Sequence, residues 1–132
     1  MNASKEKSPI KSDKLDTIFV CQQKLDSFLA EKRGLNFTPS EWIQKETLAI
    51  ISELGELLDE VRFKWWKNPL PIDETKVKEE LVDVLHFFVG MCLNAGMTAD
   101  ELFKMYLDKN EENFKRQFGT SLKEGYKLES KR

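Results

Sequence analysis

The chain has 132 residues, 40% of them hydrophobic and 33% charged, which is the size and composition of one folded domain rather than of a disordered segment. Its 21 basic and 23 acidic residues give a net charge of -2, so no bulk excess of charge attracts nucleic acid or a membrane surface, and any phosphate must be recognised locally. Two widely separated cysteines, Cys21 and Cys92, offer neither CxxC spacing nor a disulfide framework and are expected to be reduced core residues.

Residues 1–12 are polar and basic and are expected to form a flexible tail ahead of a single all-α catalytic domain over 13–132. From Asp13 to about Arg33, Leu15, Ile18, Cys21, Leu25 and Phe28 recur at helical spacing, and Gly34 stops the pattern. Thr38, Pro39 and Glu41 then make a capping box, with proline where its missing N–H costs nothing, and open a second helix expected to reach about Trp66. Pro69 and Pro71 interrupt. A third helix runs from about Asp73 to Asn94, closed by Gly96 in a left-handed conformation. Thr98 and Glu101 repeat the capping pattern for a fourth helix that ends near Phe118, before Gly119. The fold class expected is all-α, a bundle-like arrangement of four helices. No apolar run reaches the roughly 18 residues of a membrane span, and a cytoplasmic location is the default expectation.

On the second helix Thr47, Ile50, Ile51, Leu54, Leu57, Leu58 and Val61 share a broad apolar face, and Glu46, Glu53, Glu56 and Glu60 form a stripe along its edge. Like charges stacked at i, i+3 and i+7 destabilise an isolated helix. A solvated acidic flank is one reading. The third helix favours another, because beyond Glu80 it is apolar nearly all round, as buried helices are, yet it carries Glu80 and Asp83 on one side. A buried carboxylate must be paired, protonated or bound to a metal, since desolvating an isolated charge costs several kcal/mol or more. Its lysines, Lys76 and Lys78, lie upstream of the apolar stretch. Glu53 and Glu56 facing Glu80 and Asp83 would make a hard oxygen-donor pocket suited to Mg2+, with Mn2+ as a substitute. His86 is the sole histidine in the chain, so a di-iron site with two Glu-x-x-His motifs is excluded, and His86 is read as a hydrogen-bonded supporting residue.

Magnesium shares its coordination with substrate phosphates, so phosphate donors should lie nearby. "KWWK" sets Lys64 and Lys67 around Trp65 and Trp66, and "KNEENFKRQ" sets Lys109, Asn113 and Arg116 on one helical face. Each has a plainer reading, as packing anchors and as solvated cations.

Taken together, "ELGE" (Glu53, Glu56), "KWWK", "ELVDVLHF" (Glu80, Asp83, His86), "KNEENFKRQ" and the later "GY" (Gly125, Tyr126) resemble the dimeric dUTPases of the all-α nucleoside triphosphate pyrophosphohydrolase superfamily, over about residues 15 to 126. That superfamily also holds MazG-like proteins and dCTP pyrophosphatases. The resemblance implies Mg2+-dependent hydrolysis of dUTP, and of dUDP, to dUMP by a homodimer. It implies metal binding by Glu53, Glu56, Glu80 and Asp83, with Glu53 activating water. Lys64, Lys67, Lys109, Asn113, Arg116 and Tyr126 would bind phosphate, and Gln22, Asp26, Trp65 and Trp66 the nucleoside. Ser52 stands where related motifs often carry another acid, and the segment between Gln117 and Gly125 is longer than the family pattern. Two alternatives stay open: a sister enzyme acting on dCTP or another nucleotide, and a helical binding module without catalysis.

Overall fold

A computed structural model describes residues 13–126, and among them every regular element is a helix: α1 (Lys14–Arg33), α2 (Pro39–Glu60), α3 (Glu74–Asn94) and α4 (Ala99–Phe118). The expected tail at residues 1–12 lies outside the described residues. The chain separates into two compact units, one through Thr98 and one from Ala99 onward.

In the first unit the helices start where side chains can accept from the free N–H groups of the opening turn. Asp13 and Asp16 cap α1 reciprocally, Thr38 Oγ1 accepts from Glu41 N at 3.2 Å, and Asp73 accepts from Thr75 N and Lys76 N. Helices α2 and α3 form the principal packed pair, and α1 packs on α3. Contacts fix the directions. Glu46 lies by Gly90 and Asn94 while Glu53 lies by Glu80, so α2 and α3 run antiparallel. Gln22 lies by His86 and Asp26 by Gly90, so α1 runs with α3.

The helices also stop in one way. Leu35 N bonds back to Ala30 O, Phe63 N to Leu58 O, Met97 N to Cys92 O and Thr120 N to Lys115 O, each five residues upstream. Such a closure needs one left-handed residue, and at three of the four ends it is glycine: Gly34, Gly96 and Gly119. At the end of α2 it is Arg62, with φ 57°. Helix α2 therefore ends at Glu60 rather than near Trp66, and "KWWK" lies in the turn beyond it.

Two further expectations are corrected. Cys21 is exposed, although Cys92 is buried. Helix α3 is not buried all round: Val89 and Cys92 are enclosed, but Leu81, Val82, Leu85 and Phe88 are 39 to 52% exposed. On α2, Leu48 and Ile51 are exposed as well. Hydropathy reports that a face is better covered, not that its own chain covers it. Among the described residues no single helix is long and apolar enough to cross a membrane.

The second unit is α4 with the turns that follow. Glu112 accepts from Ser121 Oγ at 2.6 Å and from Arg116 Nε at 3.3 Å, and the Arg116 guanidinium lies 5.2 Å from the Tyr126 ring centre. Ser121 is buried, and its hydrogen bond, with help from Arg116, holds the Glu112 carboxyl below the usual range.

Candidate functional site

The facing turns of α2 and α3 bring carboxylates together. One oxygen each from Glu53, Glu80 and Asp83 lie within 4.8 Å of one another. Glu53 and Glu80 are half-buried and Asp83 is exposed, so the cluster opens toward solvent on the Asp83 side. The Oε2 atoms of Glu53 and Glu80 are buried and accept no hydrogen bond among the described residues. Buried acceptors without a donor are rare and costly in folded proteins.

Electrostatics tell the same story. Burial, first of all, pushes Glu80 up to about 7, followed by the close approach of the Glu53 carboxyl and by the charge of Glu56. Glu53 is raised too, chiefly by burial; the adjacent Glu80 carboxyl works the other way, and the neighbouring Glu56 and Asp83 add to the rise. Glu56 is exposed on the next turn of α2, close enough to act on both. Uncompensated negative charge of this kind favours either a proton or a cation. The donor set is all oxygen and all carboxylate, the chemistry of a hard divalent ion such as Mg2+ or Mn2+, and two orphaned lone-pair sites give it somewhere to bind.

A second polar group joins α1 to α2 and α3. Gln22 is buried; its Nε2 donates to Asp26 Oδ1 at 2.8 Å and its Oε1 accepts from His86 Nδ1 at 2.6 Å. His86 is thus hydrogen-bonded, as expected, while its side chain remains exposed. Asn94 Nδ2 donates to Gly90 O at 3.0 Å and to both oxygens of Glu46 at 3.3 and 3.4 Å. Glu46 is only 8% exposed, so this member of the acidic stripe is an interior residue and not part of a solvated edge. It rests on the backbone of Gly90, where a methyl group would lie 2.6 Å from Glu46 Oε1 and 3.3 Å from Asp26 Oδ2. Burial raises the Glu46 carboxyl to about 7; the Asn94 hydrogen bond opposes this and the Asp26 charge adds to it. Asp26 is raised as well, by burial, against the lowering effects of Gln22 and His86. A cavity of about 390 Å³ opens beside the group, lined by Asp26, Glu46 and Asn94 and by Trp42, Leu35 and Leu93.

Beyond α2, Lys64, Trp65 and Lys67 line a separate cavity of about 530 Å³ with Arg62 and Leu70. Lys64 Nζ is 3.6 Å from Asp59, Trp65 is 83% exposed, and Trp66 is held edge-on between Trp65 and Phe63 rather than facing the cavity. Lys109, Asn113, Arg116 and Tyr126 belong to the second unit, where Arg116 joins Asn113 and Tyr126 and Lys109 is exposed.

A helical pair presenting facing acidic turns defines an all-α protein with a cluster of carboxylates that could hold a metal ion. Residues 14–101 match the dUTPase family, and the chain belongs to it. It is 38% identical over 74 residues to the dCTP pyrophosphatases of Enterobacteria phage LZ5 and Enterobacteria phage T4, an overlap covering 56% of this chain and 43% of each relative. It is 35% identical over 68 residues to a DNA replication protein of Enterobacteria phage T4, covering 52% of this chain and 17% of that one. The chain thus spans less than half the length of the curated relatives it matches. No solved structure matches it.

Proposed function

We propose that the chain is a divalent-cation-dependent pyrophosphohydrolase of a pyrimidine deoxynucleoside triphosphate, releasing pyrophosphate and the nucleoside monophosphate. The observation that carries this reading is the convergence of Glu53, Glu80 and Asp83 with two buried oxygens that no donor among the described residues reaches. Glu53, Glu80 and Asp83, with Glu56 beside them, would hold Mg2+ or Mn2+, which supplies charge neutralisation for the triphosphate oxygens. Glu53 has the raised proton affinity of a general base, and in this reading its carboxylate takes a proton as water attacks phosphorus and the bridging P–O bond breaks. Lys64 and Lys67, beside Trp65 on an open cavity, offer cations and an aromatic face to the nucleotide.

Membership of the family favours dUTP, with dUDP as a second substrate yielding phosphate. The phage relatives named for dCTP favour the other pyrimidine. A second copy of the chain is part of the same reading, since half-exposed Leu81, Leu85 and Phe88 on α3 and exposed Leu48 and Ile51 on α2 are apolar area of the kind oligomers cover.

The test is release of pyrophosphate or phosphate from dUTP, dUDP, dCTP, dTTP and UTP, with and without Mg2+, alongside calorimetric titration of Mg2+ alone. Metal-dependent turnover of a pyrimidine deoxynucleotide, lost in Glu80→Gln, is the expected result. Equal rates on every nucleotide would refute pyrimidine selectivity, and no turnover on any would favour a binding module. Light scattering reads the oligomeric state, and a monomer at working concentration would remove the second copy from the reading.

A further inference from the structure

We propose that, in the second unit, Glu112 and Ser121 are positioning residues: they fix the Arg116 guanidinium against the Tyr126 ring and leave its Nη edge free for a phosphate group. The kinetic test of this, though not its geometry, rests on the reading of the chain as a pyrophosphohydrolase.

The arrangement begins where α4 ends. Thr120 N and Ser121 N both bond back to Lys115 O, at 2.9 and 3.2 Å, so the chain doubles back over the last turns of the helix. That return buries Ser121. Its hydroxyl accepts from Lys123 N at 3.1 Å and donates to Glu112 Oε1 at 2.6 Å. A hydroxyl tied at both ends holds the carboxylate in one place, and the same Oε1 accepts from Arg116 Nε at 3.3 Å. The carboxylate stays ionised there, because the Ser121 hydrogen bond first, and then Arg116 against the effect of burial, keep it below the usual range.

The pair beside it shows what a plain surface ion pair is in this helix. Glu111 and Lys115 also stand four residues apart, at 3.3 Å, but the Lys115 side chain is 51% exposed where that of Arg116 is 22%. Exposed pairs of the first kind hold their side chains loosely. Arg116 is instead held on three sides: Nε by Glu112, Nη1 by Asn113 Oδ1 at 3.4 Å, and its flat face by the Tyr126 ring 5.2 Å away. Of its five N–H groups, one on Nη1 and both on Nη2 have no partner among the described residues. They lie on the edge with which arginine takes two oxygens of a phosphate at once. Lys109, two turns earlier on the same face of α4, is exposed and adds a second cation. A long side chain that is already immobilised loses less freedom when an oxyanion arrives, so the carboxylate and hydroxyl behind it strengthen binding without touching the ligand.

The experiment is a double-mutant cycle on the full chain, read as KM and kcat for the nucleotide it hydrolyses with Mg2+, and as pyrophosphate affinity by calorimetry under the same conditions. Glu112→Ala and Ser121→Ala should each raise KM by roughly two- to tenfold with little change in kcat. Glu112→Gln, which keeps an acceptor oxygen in that place, should raise it less. In an Arg116→Ala background, Glu112→Ala should change KM no further, because it acts through that guanidinium. Coupling seen in KM alone assigns the Nη edge to the phosphate that the nucleoside keeps, and coupling seen with pyrophosphate as well assigns it to the two that leave. A Glu112→Ala effect of equal size with and without Arg116 overturns the proposal, since a merely structural role would give that result. So does an Arg116→Ala variant with unchanged KM and pyrophosphate affinity. If no nucleotide is hydrolysed, the pyrophosphohydrolase reading fails, and the same cycle in pyrophosphate affinity still decides whether Glu112 and Ser121 position Arg116.

Discussion

The two acidic groups along α2 are two turns apart and chemically opposite. At Glu53 and Glu80 two buried oxygens have no donor among the described residues, whereas Glu46 and Asp26 are each bonded to an amide from a neighbouring residue. The first group has room for a full positive charge. The second is already partly compensated and has room only for neutral donors. One helix thus carries two acidic groups of different character, because what distinguishes them is contributed by the facing helices: carboxylates at Glu80 and Asp83, amides at Asn94 and Gln22.

The largest expected effect separates the two groups through catalysis. Glu53→Gln should lower metal-dependent hydrolysis by roughly a hundredfold or more, and calorimetry should show weakened Mg2+ binding, which Glu46→Gln should leave as it was. Loss of Mg2+ binding in Glu46→Gln as well would mean that the groups act as one site. Next in size is Gly90→Ala. Its methyl would fall 2.6 Å from Glu46 Oε1 in a buried place, so Glu46 must shift; the expected loss of stability, by urea denaturation, is about 1–3 kcal/mol. Mg2+ affinity should stay as it was.

Acidity sharpens the contrast. Glu46 and Glu80 titrate near 7 in the folded chain against 4.5 for an ordinary glutamate, so between those values the folded state holds more protons than the unfolded one. Stability should therefore fall as pH rises from about 4.5 to about 7. Saturating Mg2+ should offset the part due to Glu80, and Glu46→Gln should remove the part due to Glu46, each visible in thermal melts across that range. Melts in which Mg2+ has no influence near pH 7 would count against the cation site.

The starts of the helices were legible because their signals are local: Thr38, Pro39 and Glu41 announce α2 within four residues, and Asp73 caps α3. The approach of Glu53 to Glu80 and Asp83 was legible for a different reason, since like charges at helical spacing on two apolar helices demand a common explanation. The interior position of Glu46 was not. Its partners, Asp26, Gly90 and Asn94, lie 20 to 48 residues away in the chain, and only its place two turns before Glu53 on the same face hinted at a role. The early end of α2 was hidden as well, because arginine gives no sign that it will adopt a left-handed conformation.

That arginine has a consequence for engineering. Outside glycine, a left-handed residue costs roughly 1–2 kcal/mol, and every other helix here avoids the penalty. Position 62 is thus a reservoir of untapped stability. Arg62→Gly should recover a part of it, about 0.5–1 kcal/mol once the added freedom of the unfolded chain is deducted, readable as a small rise in the melting midpoint. Because Arg62 also lines the cavity with Lys64 and Lys67, the same change removes a cation from its wall. Nucleotide affinity that falls while the melting point rises would identify Arg62 as a residue whose conformational strain is retained for the charge it carries.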